Sequence, residues 1–177
     1  MDFYRTIFEV IDLRSFSNLW YWIGLALVWS SLSHWVMGIP YDMLQRARRS
    51  GGQADRDFED MVRISVNRIG LISRISGSWM LVIGSAAITA LGTMGFVYQI
   101  EFAQAVFLLG LPLCIVAALS FRAAHKIEEN QLTGDPLKDH LGRLRFWIQI
   151  VGIVSLTVTA FWGMYQNLAV GALRGLG

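Results

Sequence analysis

The chain reads as an all-α membrane protein: a four-transmembrane-helix bundle with an N-terminal amphipathic interfacial helix and helical cytoplasmic extensions. Three observations predict this. Charged residues make up only 16% of a 177-residue chain that is 54% hydrophobic, where an average soluble domain carries roughly a quarter. The deficit is also localised, since no Asp, Glu, Lys or Arg occurs in residues 19–39, 75–98, 102–121 or 146–165, runs of 21, 24, 20 and 20 residues. A helix needs ~20 residues to cross the hydrocarbon core. Finally, the runs lack apolar/polar alternation and are about twice the length of a barrel strand, which favours helices over a barrel.

The elements follow in order. In residues 1–16, Phe3, Tyr4, Ile7, Phe8 and Ile11 recur at helical spacing, with Asp2, Arg5, Glu9 and Asp12 opposite. This predicts an amphipathic helix, lying either in the headgroup layer or against the protein itself. Ser15, Ser17 and Asn18 supply capping side chains for the first span. That span begins late and follows an acidic segment, so it is expected to be retained rather than cleaved as a signal peptide.

The first span is predicted to end near Gly38-Ile39-Pro40, with Pro40 opening a new helical turn. A basic stretch containing Arg46, Arg48 and Arg49 leads to a break at Ser50-Gly51-Gly52. From Ala54 the helical pattern resumes and is expected to run unbroken into the second span. Only Gln99-Ile100-Glu101 joins the second and third spans, so those two must be adjacent and antiparallel. Pro112 sits mid-span, where it removes the bond to the Leu108 carbonyl and predicts a kink. The third helix is expected to continue past Phe121 through Arg122, His125, Lys126 and Glu129 and to stop at Thr133-Gly134. Asp135 and Pro136 then read as N-cap and N1 of the last helix.

Basic residues set the expected orientation. Residues 40–74 hold seven Lys and Arg and residues 122–145 hold five. The N-terminal segment has two, the turn at 99–101 none and the tail one. The positive-inside rule therefore places both loops, 40–74 and 122–145, in the cytoplasm and both termini outside. Trp20, Tyr21, Trp22, Tyr98, Trp162 and Tyr165 would form the outer aromatic belt, and Trp35, Trp79 and Trp147 the inner one.

Little in the chain points to chemistry. A net charge of +2 is too small to imply nucleic acid. Cys114 is alone in an apolar run and reads as a packing residue. His34 is the one ionisable side chain within the runs. A haem ligand would need a second histidine at matching depth, and His125 and His140 lie outside the runs. His34 is therefore expected to hydrogen-bond a neighbouring helix. An ion path would need further buried acids or bases, and Glu101 reads as a solvated turn residue. No phosphate loop, zinc-protease motif, paired-cysteine motif or serine-nucleophile elbow is present. No cofactor or metal is expected. Gly70, Gly77 and Gly84 recur every seven residues and give the second helix a smooth face.

Two sets of charged residues remain. Arg46, Arg48 and Arg49 are candidate lipid-headgroup contacts, as basic residues near an anionic membrane surface gain ~1 kcal/mol each. Arg56, Asp60 and Arg63 form a mixed-sign stripe, a candidate partner surface on a helix that projects from the membrane. In the competing arrangement that helix lies flat, with Phe58, Met61 and Val62 in the headgroups. The leading expectation is a non-enzymatic inner-membrane accessory or scaffold protein whose partners are the lipid bilayer and other membrane proteins or a second copy. A small oligomeric transporter or channel is the alternative, and a haem-binding redox subunit the second.

The stretches SFSNLWYWIGLALVWSSLSHWV (15–36), GFVYQIEFAQAVFLLGLP (95–112) and TAFWGMYQN (159–167) resemble a family of small alphaproteobacterial inner-membrane proteins labelled a component of the SufBCD iron–sulfur assembly complex. The resemblance implies an inner-membrane location and a link to cluster assembly, and it carries no catalytic residue onto this chain.

The orientation is testable with topology reporters fused within Gly51-Gly52 and after Gly177. The expected outcome is a cytoplasmic signal from the first and an external one from the second; a cytoplasmic C-terminal fusion would reject the arrangement.

Overall fold

The computed structural model describes residues 15–174, with side chains for 16–168. The predicted N-terminal amphipathic helix thus lies almost wholly outside the described residues. A 3-10 turn, Ser15–Ser17, leads into α1 (Leu19–His34), a minimal hairpin β1 (Trp35–Val36) and β2 (Ile39–Pro40), then α2 (Tyr41–Ser50) and α3 (Gln53–Gly92). A π-helical turn (Thr93–Val97) extends α3, and α4 (Glu101–Glu129) and α5 (Gly134–Arg174) complete the chain. All-α is the class, the hairpin being its one departure among the described residues.

Three of these helices are long and apolar enough to cross a membrane: Gln53–Val97, Glu101–Glu129 and Gly134–Leu168. The first apolar run behaves differently from the expected 19–39 helix. Its helix starts where predicted, with the Asn18 side chain accepting the Trp20 N–H at 2.9 Å, but stops at His34. Met37 and Gly38 both take positive φ, 55° and 79°, the geometry of a two-residue hairpin turn. Trp35 then pairs with Pro40 and Val36 with Ile39. At 1.5 Å per residue the remaining helix is about 24 Å long, short of the ~30 Å hydrocarbon core.

Elsewhere the elements fall close to expectation. Gly51 and Gly52, at φ 59° and 60°, separate α2 from α3. The helix from Gln53 to Val97 then runs 45 residues without a break, about 67 Å. Helix α4 contains Pro112 and continues to Glu129. The carbonyl that Pro112 leaves without its helical partner, that of Leu108, is approached at 3.5 Å by the Ser155 hydroxyl of α5. Helix α5 starts at Gly134, one residue before the expected cap, and Glu59 of α3 accepts the Gly134 N–H at 2.7 Å.

Helix α3 packs on α4, α4 on α5, and α5 on α1. The apolar core is concentrated in the segments read as loops. Phe58, Val62 and Val66 of α3 are buried with Leu44 and Ala47 of α2, Ala123 and Ile127 of α4, and Leu137, Leu141 and Leu144 of α5. These segments form a packed helical head continuous with the spans. The spans themselves are nearly bare. Only 6% of the most apolar stretch of α3 is buried, against 22% for α4 and 28% for α5.

Close backbone approach is restricted to a few sites. A Cβ on Gly95 would lie 2.9 Å from the Gln104 backbone nitrogen, and one on Gly152 would lie 2.9 Å from the Trp29 ring. The expected smooth face of α3 contributes no such approach: Gly84 has nothing within 4 Å and Gly77 meets only Ser73 of its own helix. Gly95→Ala is therefore expected to destabilise the α3–α4 turn by about 1–3 kcal/mol, since backbone cannot yield as a side chain does. Gly84→Ala should stay within about 0.5 kcal/mol. Thermal unfolding in detergent, compared across both variants, checks this, and equal effects would contradict it.

Candidate functional site

Helices that leave a membrane must bury their apolar stripes against each other, and here the amphipathic pattern from Ala54 to Arg74 does so. Phe58 and Val62 face the head core, at 0% and 1% exposure. This overturns the flat arrangement with Phe58 and Val62 among headgroups, because both side chains are already enclosed by protein.

The head is tied by charged side chains in fixed places. Lys138 is buried, with Nζ 2.8 Å from Asp55 of α3 and 3.2 Å from Asp135 at the start of α5. Arg48 of α2 donates to the Lys138 carbonyl at 3.1 Å and to Asp139 at 3.0 Å. The Arg145 guanidinium lies 3.3 Å from the Tyr41 ring centre, a cation–π contact between α5 and α2. The sequence reading did not single out Lys138, Asp55 or Glu59. Burial was the missing signal, for a lysine in a charged segment looks solvated until its neighbours are known.

The candidate lipid contacts divide. Arg48 bonds α5 while its side chain stays part-exposed. Arg46 pairs with Asp42 one turn earlier at 3.5 Å, both side chains well exposed, and Arg49 is exposed at the end of α2. The candidate partner surface is exposed as predicted at Arg56, Asp60 and Arg63. Asp60 and Arg63 pair at 2.9 Å across one turn, an exposed contact worth well under ~1 kcal/mol.

Asp60 and Arg63 also border a groove between α3 and α4, and Arg56 does not. The groove has two lobes. One, about 420 Å³, is lined by Glu59, Val62, Arg63, Ile127, Leu132 and Thr133 among others. The second, about 430 Å³, lies between Ile69, Gly70 and Arg74 on α3 and Phe121, His125 and Glu129 on α4. Val66 and Glu128 line both, and Arg74 reaches across to Glu128 at 3.2 Å.

At the opposite end of the spans lies a second polar assembly. Gln104 is fully buried, donates to the Gly95 carbonyl at 2.8 Å, and accepts from Trp162 Nε1 at 3.0 Å and Gln166 Nε2 at 2.7 Å. Glu101 accepts the Phe16 N–H at 2.8 Å, so it is a structural tie and not the solvated turn residue expected. His34, expected to bond a neighbouring helix, instead places Nδ1 3.3 Å from the Ser30 carbonyl of its own helix. Its ring is exposed. Cys114 is exposed along α4 among the described residues, which departs from its reading as a packing residue. Among the described residues no three His, Cys, Asp or Glu side chains gather into a metal-binding group.

Two groups in the head titrate away from their ordinary values. Asp55 beside Lys138 raises the lysine pKa above 10.5 against the opposing effect of burial, and Asp135 adds to the rise. Burial lowers that of His140 below 6.5, and the positive charges of Lys126 and Arg143 push the same way, while a bond to the Ala123 backbone opposes them. The lysine contribution is complete below pH 10.5 and is lost only as pH climbs through the raised value. The histidine is favoured neutral, so stability falls as pH drops below 6.5. Amide exchange at the start of α5 should accelerate between about pH 6.5 and 5 beyond its intrinsic rate. His140→Gln should flatten that limb; an unchanged limb would remove His140 as its cause.

Compared with known proteins, the chain matches no family model, no curated protein and no solved structure.

Proposed function

We propose that the chain is a non-enzymatic accessory or scaffold protein of a bacterial inner membrane, a subunit of a larger membrane complex. The observation that carries this reading is the head. Four helical segments outside the apolar spans bury a common core with Phe58 at 0% exposure and fix their register through Lys138, Arg48 and Glu59. A chain anchored only for its own sake needs loops there, whereas a rigid projecting body presents a defined surface. The sparse burial of the spans, 6% for α3, supports the same reading, since lipid or another membrane protein must cover that area.

In this reading the head lies in the cytoplasm and both termini lie outside, as the basic residues of 40–74 and 122–145 favour. Helix α1 and its hairpin make the fourth crossing, and Arg56, Asp60 and Arg63 belong to the docking surface. The inner membrane is the compartment implied by the resemblance at 15–36, 95–112 and 159–167.

The test is affinity purification from native membranes in mild detergent, wild type against Arg56→Glu with Arg63→Glu. The expected outcome is a specific co-purifying protein whose recovery drops about tenfold in the double variant, while folding and insertion persist. A folded, inserted variant that recovers the same proteins in the same amounts rejects the docking surface.

A further inference from the structure

We propose that the groove between α3 and α4 holds a basic amphipathic helix, the extension of a partner's transmembrane helix beyond the bilayer. This rests on the scaffold reading above and concerns a contact separate from the one that Arg56→Glu with Arg63→Glu tests, since an added acid at Arg63 would strengthen the hold on a basic helix.

The argument begins with where the charges fall. The segments outside the spans, 40–74 and 122–145, hold twelve Lys and Arg against nine Asp and Glu. The groove inverts that balance. Its lining carries Glu59, Asp60, Glu128 and Glu129 but only Arg63 and Arg74. Anionic lipid attracts basic residues and explains the surrounding surface; it gives no reason for an acidic cleft. Glu59 is engaged at the Gly134 amide, and Asp60 and Glu128 each touch one arginine. Among the described residues Glu129 has only His125 beside it, at 3.9 Å, so a net negative rim remains beside the apolar floor of Val62, Val66 and Ile69.

The shape matches a helix. On α3 the two lobes are centred about seven residues apart, about 10 Å along the axis. That is the separation of apolar side chains at i and i+7 on a docked helix, two of the anchor positions such grooves read. Both walls continue without a break into apolar spans, so the groove axis follows helices that cross the membrane. A helix lying along it enters the bilayer beside the least covered span, that of α3. Extensions of transmembrane helices on the cytoplasmic side are rich in Lys and Arg, the complement of this rim.

The experiment uses the full chain in a neutral detergent and two synthetic helical peptides with leucines at i and i+7. One carries lysines beside the leucines and its twin carries glutamates. The lysine peptide should bind, weaken with added salt, and exceed its twin by about tenfold. Glu128→Lys with Glu129→Lys should reverse that preference. Thr133→Trp, which obstructs one lobe from an exposed position, should weaken binding with the charges intact. Equal binding of both peptides, no binding, or indifference to both variants overturns the proposal. So does a phospholipid held by wild type, seen by native mass spectrometry and lost in Thr133→Trp. Purification from native membranes separates the two readings. A partner that both groove variants retain sinks the groove and leaves the scaffold standing. If wild type recovers no partner, the scaffold reading fails, and the peptide titration still decides the groove.

Discussion

Inside hydrocarbon no water is available to bond a backbone amide, and every exposed N–H or C=O must find a partner within the protein. The structure turns on this constraint where its helices are interrupted. Pro112 takes one donor from the α4 ladder, and the Ser155 hydroxyl approaches the Leu108 carbonyl it leaves. At the π-helical turn after α3, Gln104 donates to the Gly95 carbonyl. The entry to α1 is tied by Glu101 to the Phe16 N–H, and Trp22 Nε1 donates to the Phe16 carbonyl at 3.1 Å. In each case a polar side chain that looks functional by its rarity is occupied in completing the backbone.

That explains much of what was legible in the sequence and what was not. Apolar runs and glycine breaks act locally, so the continuity of α3 from Gln53, the break at Gly51-Gly52 and the continuation of α4 past Phe121 could be read from order alone, whereas the end of α4 falls at Glu129 and not at the expected Thr133-Gly134. The early end of α1 could not be read this way. Residues 35–40 are as apolar as a span, and Gly38 by itself does not signal a hairpin when Met37 must also take positive φ. Glu101 and Lys138 were opaque for a related reason: their partners lie 85 and 83 positions away, at Phe16 and Asp55. For the candidate site, the exposure of Arg56, Asp60 and Arg63 followed from helical spacing. The groove they partly border did not, because it depends on how α4 lies against α3.

The head and the spans divide the work of holding the fold. In the head, apolar burial around Phe58 and Leu137 is driven by water, as in a soluble protein. Between the spans apolarity contributes no such force, and packing depends on small residues and hydrogen bonds. Of the described glycines, Gly95 against Gln104 and Gly152 against Trp29 leave the least room for a Cβ, 2.9 Å in each case. The fold is thus secured at the head and at the opposite end, with the long lipid-facing stretch of α3 between them nearly uncovered.

The unbroken helix from Gln53 to Val97 makes the molecule a stiff lever. Its ~67 Å length is about twice the thickness of the hydrocarbon it crosses, so more than 30 Å stands outside. Helices answer a change in bilayer thickness by tilting, and a tilt of about 10° would swing the far end of such an arm by about 6 Å. A change in lipid composition would thereby reach the head as a displacement, with no joint in α3 to absorb it.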